Sequence, residues 1–167
     1  MKRAGEILLA SKRLRHSVLF RECFVHLVAR LHDNTIYSSC PALREDKDVW
    51  LLLTEGKSRL RQMILEAQHE VLFGIVNGLS TDDQTMVDQF RSANPDESAE
   101  FFRKVLGLRD KIENECGCEW AEEFYTAISA LMKSNLALDQ TGYGPGQGSY
   151  TDCFLCTDIA DKDMTWE

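Results

Sequence analysis

Apolar side chains recur along this chain at steps of three and four residues, and no segment alternates apolar with polar as a half-buried strand does. The pattern predicts an all-α fold. The clearest early segment is "VLFRECFVHLVARL", where Phe20, Phe24, Leu27 and Leu31 share one helical face and the preceding Ser17 is placed to cap it. Val18, Leu19, Cys23, Val25 and Val28 add apolar surface on its other sides, so this helix is either central or covered by a partner. Pro41 breaks the chain. A long helical pattern then runs from Asp48 to about Asn77, with Gly56 as a candidate interruption. Its stripe is Leu60, Met63, Ile64, Ala67, Val71 and Ile75, and "NGLST" supplies the stop.

Two further helix starts are signalled. Thr81 and Gln84 have capping-box spacing ahead of Met86, Val87 and Phe90. Asn94, Pro95 and Glu97 repeat the logic, with proline at the first helical position, and lead into Phe101, Val105, Leu108 and Ile112. Trp120, Phe124, Ile128, Leu131 and Asn135 mark a last long helix. From Thr141 the chain reads "TGYGPGQGSY", too rich in glycine to be helical. Beyond it, Phe154, Leu155, Ile159 and Trp166 are apolar anchors, which predict a tail docked on the helices. The expected architecture is an irregular bundle of about five to seven helices. A helical domain spans 1–140, and the Gly-rich loop and tail of 141–167 pack on it.

Composition narrows the class. The 167 residues suffice for one domain with a core of its own, and 44% apolar with 28% charged residues is ordinary for a soluble globular chain. A net charge of -8 repels phosphate backbones and argues against a general nucleic-acid binder. The charge is uneven. Residues 1–31 hold seven Lys/Arg against Glu6 and Glu22, a local balance of +5 that leaves -13 for the remainder. Such a basic end suits an acidic partner, contains a weak nuclear address in "KRLR", or is simply a solvated helix face. The early run "ILLA" is too short for a secretory signal, and no window approaches the roughly 18 apolar residues of a membrane helix. The six cysteines are therefore expected as thiols or metal ligands in a reducing compartment, cytoplasmic or nuclear.

Four of those cysteines form two close pairs, Cys116 with Cys118 and Cys153 with Cys156. Zinc takes four thiolates at tetrahedral angles, and a two-residue spacer lets the chain curl around the ion. The one-residue spacer of the first pair is tight, although Gly117 permits the bend. A structural zinc would tie the tail to the start of the last helix; a disulfide and plain semi-buried thiols are the alternatives. Other constellations are weaker. Glu66 and His69 share a helix face as in di-iron bundles, but no second such pair exists, so they read as an exposed polar face. Cys23 and His26 have nucleophile–base spacing inside an apolar helix, which favours packing. "GYGPGQG" lacks the Lys-Ser/Thr ending of a phosphate cradle.

"SKRLRHSVLFRECFVHLVARL" resembles the helical segment that follows the BTB/POZ domain in a large group of fungal proteins, through Leu14, Leu19, Phe20, Glu22, Val25, His26, Leu27 and Val28. "CGCEWAEEFYTAISALMKSNL", the Gly-rich link and "YTDCFLC" resemble that group's closing section. The BTB domain itself is not within these 167 residues, so its dimerisation and ligase contacts are not carried over. The resemblance implies a helical scaffold for protein partners. The residues expected to meet a partner are Arg13 and Arg15 at the basic end and Tyr143, Tyr150, Phe154 and Trp166 in the tail, because interface cores favour Arg and aromatics. The same aromatics could instead fill the chain's own core. The competing readings are a zinc-binding protein, or less readily a small metal-dependent enzyme, and a homo-oligomer joined through the apolar 18–31 helix.

Overall fold

Among the described residues six α-helices and two single 3-10 turns carry the fold, and there is no strand. The computed structural model describes residues 3–30, 40–77, 98–107, 120–139, 141–164 and 166. The helices are α1 (Ala4–Arg13), α2 (Ser17–Ala29), α3 (Ala42–Glu45), α4 (Lys47–Asn77), α5 (Ser98–Gly107) and α6 (Trp120–Leu131). None of them is long and apolar enough to cross a membrane. The helix starts predicted at Thr81 and Asn94 lie outside the described residues, as do Leu31, Leu108, Ile112, Cys116 and Cys118.

The chain forms two compact units that interleave in sequence. The first comprises Met1–Leu60, Ser134–Gly142 and Leu155–Glu167, and the second Arg61–Lys133 and Tyr143–Phe154. In the first unit α2 is the central helix. Phe20, Phe24, Leu27 and Val28 are almost wholly inaccessible, and each such side chain contributes about 2 kcal/mol through the apolar area it removes from water. This all-round apolar helix is thus largely buried within its own unit, with Val18 left exposed at its start.

Local chemistry sets the ends of these helices. Leu14 closes α1, Arg15 turns into the left-handed region with φ 52°, and the backbone N–H groups of Arg15 and His16 bond back to Lys12 and Ser11. That is a Schellman ending built on arginine instead of glycine. The cap of α2 is His16, not the expected Ser17. The backbone at His16 is still extended, and its Nδ1 accepts the Leu19 N–H at 3.3 Å, whereas Ser17 is already helical. Asp46 takes the corresponding role for α4, accepting the Val49 N–H at 3.2 Å while both its oxygens receive Lys12 Nζ at 2.8 Å. Burial pushes the Asp46 carboxyl up, but these bonds outweigh it and hold the group below the usual carboxylate range.

Gly56 does not interrupt α4. A Cβ there would stand 2.6 Å from Phe24 Cζ and 3.0 Å from Val28 Cγ2, so the glycine lets α4 lie close on α2.

The segment after α6 and the tail are then tied to α2. Helix α6 stops at Leu131, short of the predicted Asn135, because Asn135 is committed elsewhere. Its backbone N–H bonds Leu155 O at 2.9 Å, and its side-chain amide donates to Cys156 O at 2.7 Å and Thr157 O at 3.1 Å. Arg21 donates to Ile159 O and pairs with Asp161, and Trp166 stands edge-on to Phe20 with centroids 4.8 Å apart.

The second unit is built on the stripe predicted for α4, with Ile64, Ala67 and Val71 buried. Phe102 and Val105 of α5 and Ile128 and Leu131 of α6 join it in the core. The Gly-rich segment closes this unit. A Cβ on Gly146 (φ 74°) would stand 2.6 Å from Ala99 O, and Arg103 of α5 lies over Gly144 and donates Nε–H to Pro145 O. These glycines serve backbone contact with a helix.

Candidate interaction surfaces

The Cys23 thiol is pushed up to about 11 by burial and by the neighbouring Glu22, so it is no nucleophile at neutral pH. Burial lowers His26, and Glu22 opposes that shift with its Oε1 3.9 Å from Nε2. Glu22 itself is 8% exposed, and its Oε2 accepts the N–H groups of Ala137 at 2.8 Å and Leu138 at 3.2 Å. This carboxylate is a structural clamp on the chain after α6.

Of the zinc candidates, Cys116 and Cys118 lie outside the described residues. Cys153 and Cys156 are buried, the former in the second unit and the latter in the first. Burial pushes the Cys156 thiol up to about 11. Among the described residues no group of three or more His, Cys, Asp or Glu is arranged to hold a metal ion. Glu66 and His69 are exposed, the first bonded by Gln62 at 2.9 Å and the second 3.4 Å from Glu70, as a solvated polar face requires.

The predicted partner-binding residues divide. Arg13 and Arg15 are exposed at the end of α1, with Leu14 between them 76% exposed, while the adjacent Lys12 is engaged by Asp46 and by Asp48 at 3.8 Å. In the tail only Tyr143 is open, at 52%, its ring against Gly148. Tyr150 and Phe154 are buried in the second unit, where Phe154 packs on Phe102 at 6.2 Å. Trp166 is half-buried on Phe20. Tyr150 and Phe154 therefore lie in the core of their own unit and Trp166 is covered in part by Phe20, because aromatic content marks large apolar area and does not say which way it faces.

Two features escaped the sequence reading. On the face of α4 turned away from its buried stripe, Leu65 is 64%, Leu72 47% and Phe73 48% exposed, with His69 between them and its ring stacked on Phe73 at 6.5 Å. Positions 65, 69, 72 and 73 fall on one helical face, so the four make a continuous strip within the second unit. The signal was available in "LEAQHEVLF", which is apolar on a second face that no core needs. The other feature, in the first unit, is a cleft of about 450 Å³ between the first turns of α4 and residues 158–164, floored by Phe24, Ile159 and Met164. It depends on a contact between distant segments. Compared with family models, with curated proteins and with solved structures, the chain matches none of them.

Proposed function

We propose that this chain is a non-catalytic helical module that binds a protein partner through the exposed strip of α4. The observation that carries the reading is the strip itself, three large apolar side chains about half or more exposed on one helix face. Scattered apolar residues are normal on a surface, but a contiguous row on a long helix is the form in which helices meet partners in a groove or a bundle. Burial keeps the Cys23 and Cys156 thiols protonated at neutral pH, and Glu66 and His69 lie on a solvated face, which accords with this reading. The likeness of the α2 segment to the region following BTB/POZ domains in fungal proteins supports the same scaffold reading; the residues that carry it, among them Phe20, Val25, Leu27 and Val28, are core residues of the first unit.

Leu65→Glu and Leu72→Glu, together, test it. Affinity purification from source cells is expected to retrieve a stoichiometric partner with the wild-type chain and to lose it with the double variant, at unchanged melting temperature. Equal retrieval by both chains, or a double variant that unfolds, would overturn the assignment.

A further inference from the structure

The cleft of the first unit and the turn that ends α1 are complementary in charge, carboxylate-rich and basic respectively. At the turn, Leu14 projects between Arg13 and Arg15, and the left-handed backbone of Arg15 directs the chain sharply away from the helix there. Neither arginine has an ion pair among the described residues. In the cleft, the floor is apolar and the walls hold four carboxylates, Asp48 and Glu55 on α4 and Asp158 and Asp163 on the tail, against Arg59 and Lys162. Its volume of about 450 Å³ falls in the range of pockets that enclose a ligand and exceeds what one leucine side chain fills.

We propose that the Arg13–Leu14–Arg15 turn of one copy of this chain seats in the cleft of a second copy, and the reverse, giving a two-fold dimer. Leu14 meets the apolar floor, and the two guanidinium groups meet the carboxylate walls, the arrangement of a central apolar anchor with a charged rim. A second copy is favoured over an unrelated protein because the chain carries both halves of the contact side by side. Lys12, the residue before the turn, already reaches Asp48 on the cleft wall at 3.8 Å. Adjacent complementary patches on one face are the condition for a closed, isologous dimer, in which each contact is made twice. The turn does not occupy its own cleft, since Leu14 is 76% exposed within its own chain. The inference is independent of the α4 strip, which belongs to the second unit.

A charge-swap experiment on the full chain tests this. The pair Arg13→Glu with Arg15→Glu reverses the turn, and Glu55→Lys with Asp163→Lys reverses the cleft; all four positions are exposed. Sedimentation of the wild type across a concentration series should show a monomer–dimer equilibrium. Each reversed protein should dimerise at least roughly a hundredfold more weakly, because like charges then face each other in both contacts. An equimolar mixture of the two reversed proteins should recover the dimer, since both of its contacts are again complementary. A wild type that stays monomeric at the highest soluble concentration would overturn the proposal. So would reversed proteins that dimerise normally, or a mixture that does not recover.

Discussion

Glu22→Ala removes a clamp whose strength can be worked from its geometry. One buried carboxylate oxygen accepts two backbone N–H groups, at 2.8 and 3.2 Å, from residues 115 and 116 positions away. A hydrogen bond to a charged group contributes about 1.5–3 kcal/mol, and leaving a donor unpaired costs about 1–3 kcal/mol. The two bonds share an oxygen and the second is long, while losing a buried charge returns some desolvation, so the net cost is about 2–3 kcal/mol. For a chain of this size that lowers the melting temperature by about 4–12 °C. Urea unfolding followed by circular dichroism reads it, and hydrogen exchange at the Ala137 and Leu138 amides should quicken locally. Glu22→Gln keeps an acceptor oxygen without the charge and should cost about half as much. A Glu22→Ala protein within about 0.5 kcal/mol of wild type, a span typical of neutral surface changes, would show that water serves these N–H groups equally well.

Three further perturbations probe separate links. Gly56→Ala gains about 1 kcal/mol of helix propensity but drives a methyl group to 2.6 Å from Phe24, so it should destabilise by about 1–2 kcal/mol net; a more stable variant would refute the close approach of α4 and α2. Thr157 is 3% exposed and its hydroxyl has no hydrogen-bond partner among the described residues, so Thr157→Val should stabilise by about 1 kcal/mol in thermal unfolding, and a loss would reveal a partner. His26 is lowered below 6.5 by burial against the pull of Glu22, so the unfolded chain takes its proton more readily than the folded one. Its contribution is complete above about pH 6.5 and declines as pH falls through the folded value, so His26→Gln should flatten the stability profile on the acid side of neutrality. Identical wild-type and variant profiles there would rule this out.

What the chain disclosed by pattern alone follows the range of the interactions involved. The span of α4, read as Asp48 to Asn77 and found as Lys47–Asn77, was legible because a single apolar stripe at helical spacing needs nothing beyond its own neighbours. Caps are also local, yet two were misplaced or missed, since His16 and Asp46 act through an extended backbone that composition does not display. The docking of the tail was foreseen from its apolar anchors; Glu22 as a clamp and Asn135 as a bridge were not, because each is defined by a segment far along the chain. The candidate surfaces divided on the same ground. Exposure of Arg13 and Arg15 follows from charge, whereas the burial of Tyr150 and Phe154 beside an open Tyr143 is settled only by packing.

The two proposals, if both hold, have a joint consequence that neither has alone. A chain that carries one partner-binding strip and pairs with its copy presents two strips per assembly, and the second binding event then becomes intramolecular. Avidity gained this way reaches roughly 10²–10⁴ without any new contact, provided the partner is itself repeated or immobilised. The Arg13→Glu with Arg15→Glu protein isolates that term, because it should keep the affinity of a single strip for a monovalent partner while losing the slow dissociation from a dense partner surface. Loss of the monovalent affinity as well would mean that the turn and the strip serve one surface, and the division of labour between the two units would fall with it.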